Sequence, residues 1–137
     1  MGEDLKVVTF NIRCVWKGYG DGINSFVHRA GMVYEKILQE KADVIMFQEI
    51  REEHLELLKR MLPEYTFVGN FRDANYIEEG LYTAVLNERI QVLGFESYWL
   101  SPTPYVAGSR YENQSECPRV CINLKVRDML SNKIFRV

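Results

Sequence analysis

The chain has 137 residues, a formal net charge of −2, 47% hydrophobic residues and 26% charged residues. This length is typical of one domain that is large enough to bury its own core. The small net charge provides no general basic field, which argues against a protein that coats nucleic acid, and the apolar runs are too short to predict a membrane span.

Three cysteines, Cys14, Cys117 and Cys121, form an odd count, which argues against a disulfide framework. Neither His28 nor His54 lies near Cys117 and Cys121 in the sequence, so no zinc site is predicted. The N-terminus is acidic and shows no basic segment followed by a long apolar stretch, so no secretory signal is visible. We therefore expect a cytoplasmic protein with reduced thiols.

The first predicted strand, Leu5–Phe10, is apolar and rich in residues that favour strands, and it ends in the polar residues Asn11 and Arg13. The glycine-containing stretch 14–24 predicts a loop, but it lacks the spacing of a dinucleotide-binding or P-loop motif. Apolar residues at helical spacing then predict a helix over Ser25–Gln39 that covers one face of a sheet.

A second predicted strand lies within Ala42–Ile50. Val44–Phe47 is an unbroken apolar run, as expected for a strand that is buried on both faces. The run stops at Gln48 and Glu49, and α/β folds place ligand and metal sites at this end of their strands. The alternative is that Glu49 only leads into the next helix, because acidic residues favour a helix N-terminus.

The amide of Asn11 and the carboxylate of Glu49 end two neighbouring strands, so both can direct an oxygen toward one hard cation such as Mg²⁺. The motifs Thr9-Phe10-Asn11-Ile12-Arg13 and Asp43-Val44-Ile45-Met46-Phe47-Gln48-Glu49 resemble the opening motifs of the endonuclease/exonuclease/phosphatase superfamily, which has the DNase I-like fold. The resemblance implies a phosphoesterase that depends on Mg²⁺ or Mn²⁺. It also implies that Asn11 and Glu49 help to hold the metal and take part in catalysis.

The remaining pattern predicts an α/β fold. A helix over Glu52–Leu62 is expected to carry His54 on its solvated side. Only a short turn separates the predicted strands Leu81–Leu86 and Ile90–Trp99. We therefore predict that these two strands pair antiparallel within one mixed sheet that has helices on one face. The remaining strands are predicted over Tyr65–Val68, Leu81–Leu86, Ile90–Trp99, Cys117–Val126 and Ile134–Val137.

Two later stretches strengthen the resemblance. They are Trp99-Leu100-Ser101-Pro102-Thr103-Pro104 and Cys117-Pro118-Arg119, which resemble one compact bacterial branch of the superfamily. The resemblance implies that Glu79 supports a downstream catalytic histidine. Arg119 is expected to reach a substrate phosphate with its planar guanidinium, and a structural salt bridge is the alternative.

The second-half motifs of the family do not occur in the chain. These are an Asn-Thr-His strand, an Asp-x-Asn strand and a terminal Asp-His pair. The resemblance therefore covers residues 1–137 but only about the first half of the family domain, which implies half of a four-layer α/β/β/α sandwich. We expect this chain alone to be inactive, because the general base lies outside it. The substrate is expected to be a phosphoester, either of a nucleic acid or of a small molecule.

A non-catalytic half-domain that serves for protein contact is the competing hypothesis. In the complete family fold two sheets pack face to face, so the loss of one sheet is expected to leave Val8, Phe10, Ile45 and Phe47 without cover. The strand Ile134–Val137 is expected to present an open edge. Both features predict self-association through the uncovered face or edge.

Overall fold

The computed structural model describes residues 4–14 and 21–137. Within these residues the chain forms seven strands, two α-helices and one short 3-10 helix, Gly22–Asn24. The helices are α1 (Phe26–Glu40) and α2 (Glu52–Met61). The strands are β1 (Val7–Asn11), β2 (Val44–Ile50), β3 (Tyr65–Phe71), β4 (Gly80–Leu86), β5 (Ile90–Trp99), β6 (Val120–Asp128) and β7 (Ile134–Arg136).

The first sheet has four strands in the order β1-β2-β4-β3. Strands β1 and β2 run parallel, with Asn11 beside Gln48, whereas β4 pairs antiparallel with both β2 and β3. The sheet is therefore mixed, as predicted. The parallel pairing brings the polar residues at the ends of β1 and β2 to the same edge of the sheet.

The second sheet has three antiparallel strands in the order β5-β6-β7. The predicted pairing of β4 with β5 is therefore wrong, since the two strands lie in different sheets. A hydrogen bond of 3.1 Å from the Arg89 N–H to the Leu86 carbonyl closes the turn between them. Strand β5 does not continue beside β4. Instead Ile90, its first residue, packs against Val44 and Val85 between the two sheets.

Both helices cover the same face of the first sheet, as predicted. Helix α1 contributes Phe26, Ala30, Val33 and Ile37 at helical spacing, and α2 contributes Leu55 and Leu58 to the same core. This core also contains Ile45 and Phe47, which are 0% and 1% exposed. The expectation that these two strand residues lack cover is wrong, because the alternation of β2 directs them toward the helices.

The opposite face of the first sheet packs against the second sheet. Val44 and Val85 meet Ile90, Leu124 and Val126, which form a second apolar cluster between the sheets. The described chain thus has three layers, helices, mixed sheet and antiparallel sheet.

A buried ion network joins the two sheets at the edge where β2 begins. Arg89 Nη1 lies 3.2 Å from Asp43 Oδ2, and Arg89 Nε lies 3.3 Å from Asp128 Oδ1. All three residues are less than 10% exposed. Asp43 precedes β2 and Asp128 ends β6, so a single guanidinium connects one sheet to the other.

No helix among the described residues is both long and apolar enough to cross a lipid bilayer.

Candidate functional site

A cleft of about 240 Å³ opens at the edge where β1 and β2 end. All four residues that the sequence singled out line this cleft: Asn11, Glu49, Glu79 and Arg119. They come from the ends of β1 and β2, from the residue before β4 and from the residue before β6. The fold therefore brings together side chains that are up to 108 positions apart in sequence.

Glu49 has an unusual backbone conformation. Its φ angle is +60°, and the register between β2 and β4 shifts between Phe47 and Ile50. For a residue with a side chain, this left-handed conformation costs about 1–3 kcal/mol and persists only when the surroundings enforce it. A bulge of this kind redirects a side chain, and here the Glu49 carboxylate faces the cleft.

Two hydrogen bonds hold the Glu49 carboxylate. Asn11 Nδ2 donates to Oε1 at 2.8 Å, and the Cys14 backbone N–H donates to Oε2 at 2.7 Å. Burial by itself would raise the pKa of Glu49, but these two bonds and the charges of Arg72 and Arg13 together bring the pKa below its ordinary value. The carboxylate is therefore ionised at neutral pH.

The segment after β1 is held in place by α1. Asn11 Oδ1 accepts a hydrogen bond of 2.8 Å from the Arg13 N–H, and Arg13 itself has a φ of +62°. Arg29 of α1 donates to the Ile12 carbonyl at 3.0 Å. These contacts fix the Asn11 side chain beside Glu49.

Arg72 is a site residue to which the sequence analysis gave no role. Its guanidinium is 6% exposed, lines the cleft, forms an ion pair with Glu79, and lies 3.1 Å from Glu78 Oε2. Trp99 Nε1 donates to the Arg72 carbonyl at 2.6 Å, so the second sheet helps to position this arginine. The sequence contained one indication of an ion pair at Arg72. Arg72 is the single cation of the stretch 72–79, which also contains three acidic residues.

Glu79 and Arg119 occupy different environments in the cleft. Glu79 is half-buried and held by Arg72, whereas Arg119 is exposed at the start of β6. The Arg119 carbonyl accepts a hydrogen bond of 2.9 Å from Leu100, which ties the residue to the end of β5. The structure places both residues at the cleft, and their roles stay predictions.

The donor set suits a hard cation. Each oxygen of Glu49 accepts one hydrogen bond and keeps capacity for a second partner, and the Asn11 carbonyl oxygen keeps capacity as well. Mg²⁺ prefers oxygen ligands and retains several waters when few protein groups bind it. The described residues contain no group of three or more His, Cys, Asp or Glu that could form a complete metal cage. The oxygens of Asn11 and Glu49 are thus compatible with two ligands of a hard cation.

Two other residues near the site are buried. Burial raises the pKa of the Cys14 thiol to about 11. The prediction that His54 is solvated is wrong, since it is 2% exposed and its ring lies 4.6 Å from the ring of Phe26, edge to face. The first turn of α2 packs against the first turn of α1, and this contact excludes water from a polar residue that the sequence placed on the surface.

Comparisons with known proteins agree with this fold. No protein-family model matches the sequence, and neither does any curated protein. The structure of an endonuclease/exonuclease/phosphatase from Bacteroides vulgatus is 26% identical, with a TM-score of 0.91 over 98% of this chain and 51% of that chain. The mannosyl-6-phosphatase Bt3783 of Bacteroides thetaiotaomicron is 20% identical, with a TM-score of 0.88 over 97% of this chain and 49% of that chain.

A more distant structure has the same fold. D. rerio TDP2, complexed with a single-strand DNA product, is 16% identical, with a TM-score of 0.69 over 96% of this chain and 43% of that chain. The chain spans about half the length of the solved structures that it matches. The DNase I-like fold and the resemblance to the endonuclease/exonuclease/phosphatase superfamily, both predicted from the sequence, are confirmed.

Proposed function

We propose that residues 1–137 are the N-terminal half of one endonuclease/exonuclease/phosphatase domain, and that the whole domain hydrolyses phosphoesters with the help of Mg²⁺ or Mn²⁺. The observation that carries the proposal is the 2.8 Å contact between Asn11 and Glu49 at the ends of two parallel strands. Glu79 and Arg119 line the same cleft.

Each residue has a distinct task in this proposal. A divalent ion, when bound, would neutralise part of the charge of the substrate phosphate. Glu49 with its ionised carboxylate and Asn11 with its amide oxygen would hold the ion, and Asn11 also fixes the direction of that carboxylate. Arg119 donates paired N–H groups to a substrate phosphate oxygen. Glu79, held by Arg72, orients a histidine that the second half of the domain supplies together with the general base.

The named relatives support a phosphoester substrate. One is a mannosyl-6-phosphatase, and another was solved with a single-strand DNA product. We propose a phosphoester of a nucleic acid or of a small molecule as the substrate, and phosphodiester hydrolysis as one form of the activity. The three free cysteines support a reducing, cytoplasmic location.

A contact module is the second candidate function. Apolar side chains are exposed on edge strands of the two sheets. The exposed fraction is 43% for Val7 of β1, 46% for Phe95 of β5 and 49% for Ile134 of β7. Such edges favour pairing with another chain. Sedimentation velocity on the purified chain tests self-association, which should weaken in the variant Val7→Lys.

Metal binding tests the first proposal directly. We expect the purified chain to bind Mn²⁺ weakly in an electron paramagnetic resonance titration, because one carboxylate is a poor cage. Glu49→Gln should lower the affinity by at least about tenfold, since it removes the only charge among the proposed ligands. The matched control is Glu112→Gln, a carboxylate on the exposed surface. Equal affinity in wild type and Glu49→Gln would contradict the site.

The half-domain part has its own test. The chain alone should not hydrolyse bis-p-nitrophenyl phosphate in the presence of Mg²⁺. The reading frame beyond codon 137 should encode an Asn-Thr-His motif and a later Asp-His pair. A stop codon at that point, or metal-dependent hydrolysis by the 137-residue chain, would show that the half-domain proposal is wrong.

A further inference from the structure

We propose that His54 is the positioning residue that holds Glu49 in its left-handed backbone conformation and thereby directs the Glu49 carboxylate into the cleft. The inference rests on the proposed function only in taking Glu49 as the metal-binding carboxylate. It concerns the backbone of residues 49–51, whereas the hydrogen bonds from Asn11 and Cys14 contact only the side chain of Glu49.

The chain between the bulge and α2 is very short. Ile50 returns to register opposite Gly80 and is 0% exposed, so the strand is fixed again directly after Glu49. Arg51 follows in an extended conformation, with a φ of −106° and a ψ of 169°, and α2 begins at Glu52. A contact at the Arg51 N–H therefore restrains the peptide group that joins Ile50 to Arg51, one residue after Glu49.

His54 supplies that contact. The Arg51 backbone N–H donates to His54 Nδ1 at 3.1 Å, in a buried environment. An imidazole that accepts at Nδ1 in its neutral form carries its proton on Nε2. Burial lowers the pKa of His54, so the ring stays neutral near pH 7 and can accept this bond. The ring thus holds the backbone directly after Ile50, two residues from Glu49.

The imidazole itself cannot move freely. It is 2% exposed, and its ring packs edge to face at 65° against Phe26, which is also 2% exposed. Phe26 begins α1, the helix whose Arg29 holds the segment after Asn11. The first turns of the two helices therefore hold the two halves of the site, α1 at Asn11 and α2 at Glu49.

A purely structural role is the competing explanation. His54 would then cap and pack α2 without any effect on Glu49. The two explanations differ in what happens to the backbone of Glu49 when the imidazole is replaced while the fold is kept.

Three variants separate the contacts. His54→Asn keeps an acceptor near the position of Nδ1, and His54→Leu keeps the volume but removes the acceptor for the Arg51 N–H. Phe26→Leu is the matched control, because it removes the ring contact and leaves the imidazole in place. The first readout is the set of ¹³Cα, ¹³Cβ and ¹⁵N chemical shifts of Glu49, which report a positive φ. The second readout is the affinity for Mn²⁺.

We expect His54→Leu to lose the positive-φ shifts of Glu49 and at least about tenfold in Mn²⁺ affinity, as for removal of a residue that orients a ligand. His54→Asn should recover the shifts in part, and Phe26→Leu should retain them even though its stability falls. A folded His54→Leu with unchanged Glu49 shifts would overturn the inference. Should His54→Leu not fold, a folded His54→Asn decides: a partial loss of the positive-φ shifts of Glu49 supports the inference, and shifts identical to those of the wild type overturn it.

The two proposals fail in different ways. A wild-type chain that shows the positive-φ shifts but binds no Mn²⁺ contradicts the metal site and leaves the backbone readout of His54 intact. A wild-type chain that binds Mn²⁺ at Glu49, with His54→Leu unchanged in both readouts, contradicts only the role of His54.

Discussion

Replacement of Arg89 by methionine tests how the two sheets are held together. The variant removes the guanidinium that lies 3.2 Å from Asp43 and 3.3 Å from Asp128, and it leaves both carboxylates buried. Removal of one partner of a buried ion pair costs about 3–5 kcal/mol, because the remaining charge is desolvated without compensation.

The remaining contacts place the cost at the lower end of that range. Asp43 keeps a hydrogen bond of 2.7 Å from the Lys6 N–H, and Asp128 keeps one of 2.7 Å from Ser131 Oγ. Each carboxylate thus retains one short, strong donor. We expect Arg89→Met to lower the free energy of unfolding by about 3 kcal/mol.

Urea denaturation followed by tryptophan fluorescence measures the loss. With a denaturant slope of about 2 kcal/mol/M, the expected change moves the midpoint down by about 1.5 M. Arg60→Met is the matched control, since Arg60 is exposed on α2 and surface substitutions usually change stability by less than about 0.5 kcal/mol. The reasoning is refuted if Arg89→Met loses less than about 1 kcal/mol, or if Asp43→Asn in the Arg89→Met background recovers no stability.

Two further predictions follow from the pKa shifts at the site. Because the pKa of Glu49 in the folded chain lies below its ordinary value of 4.5, ionised Glu49 stabilises the fold above that pH, and the stabilisation is lost as the pH falls through the folded-state pKa. The difference in unfolding free energy between wild type and Glu49→Gln should therefore shrink between pH 6 and pH 3, and a constant difference would contradict the shift. The Cys14 thiol, with a pKa of about 11, should react with iodoacetamide at pH 8 far more slowly than the half-buried Cys117. Mass spectrometry of both sites checks this, and equal rates would contradict it.

Much of the local structure followed from residue spacing. The predicted strand Ile90–Trp99 matches β5 at both ends, and the helix predicted over Ser25–Gln39 differs from α1 by one residue at each end. These elements are determined by apolar periodicity, which acts within a few residues of the chain. The positions of Asn11 and Glu49 at the ends of two apolar runs could be read in the same way, whereas their roles were implied by the family resemblance.

Other features depended on contacts between distant residues. The sequence contained nothing that placed β5 in a second sheet, because packing of Ile90 across the first sheet outweighs the short turn that precedes it. Burial of His54 depends on Phe26, and the position of Arg72 depends on Trp99. Residue spacing alone therefore determined which segments become strands and helices and which polar residues end them. The tertiary structure decided which of those polar residues meet and in what conformation, because desolvation and long-range hydrogen bonds form only after the layers have packed.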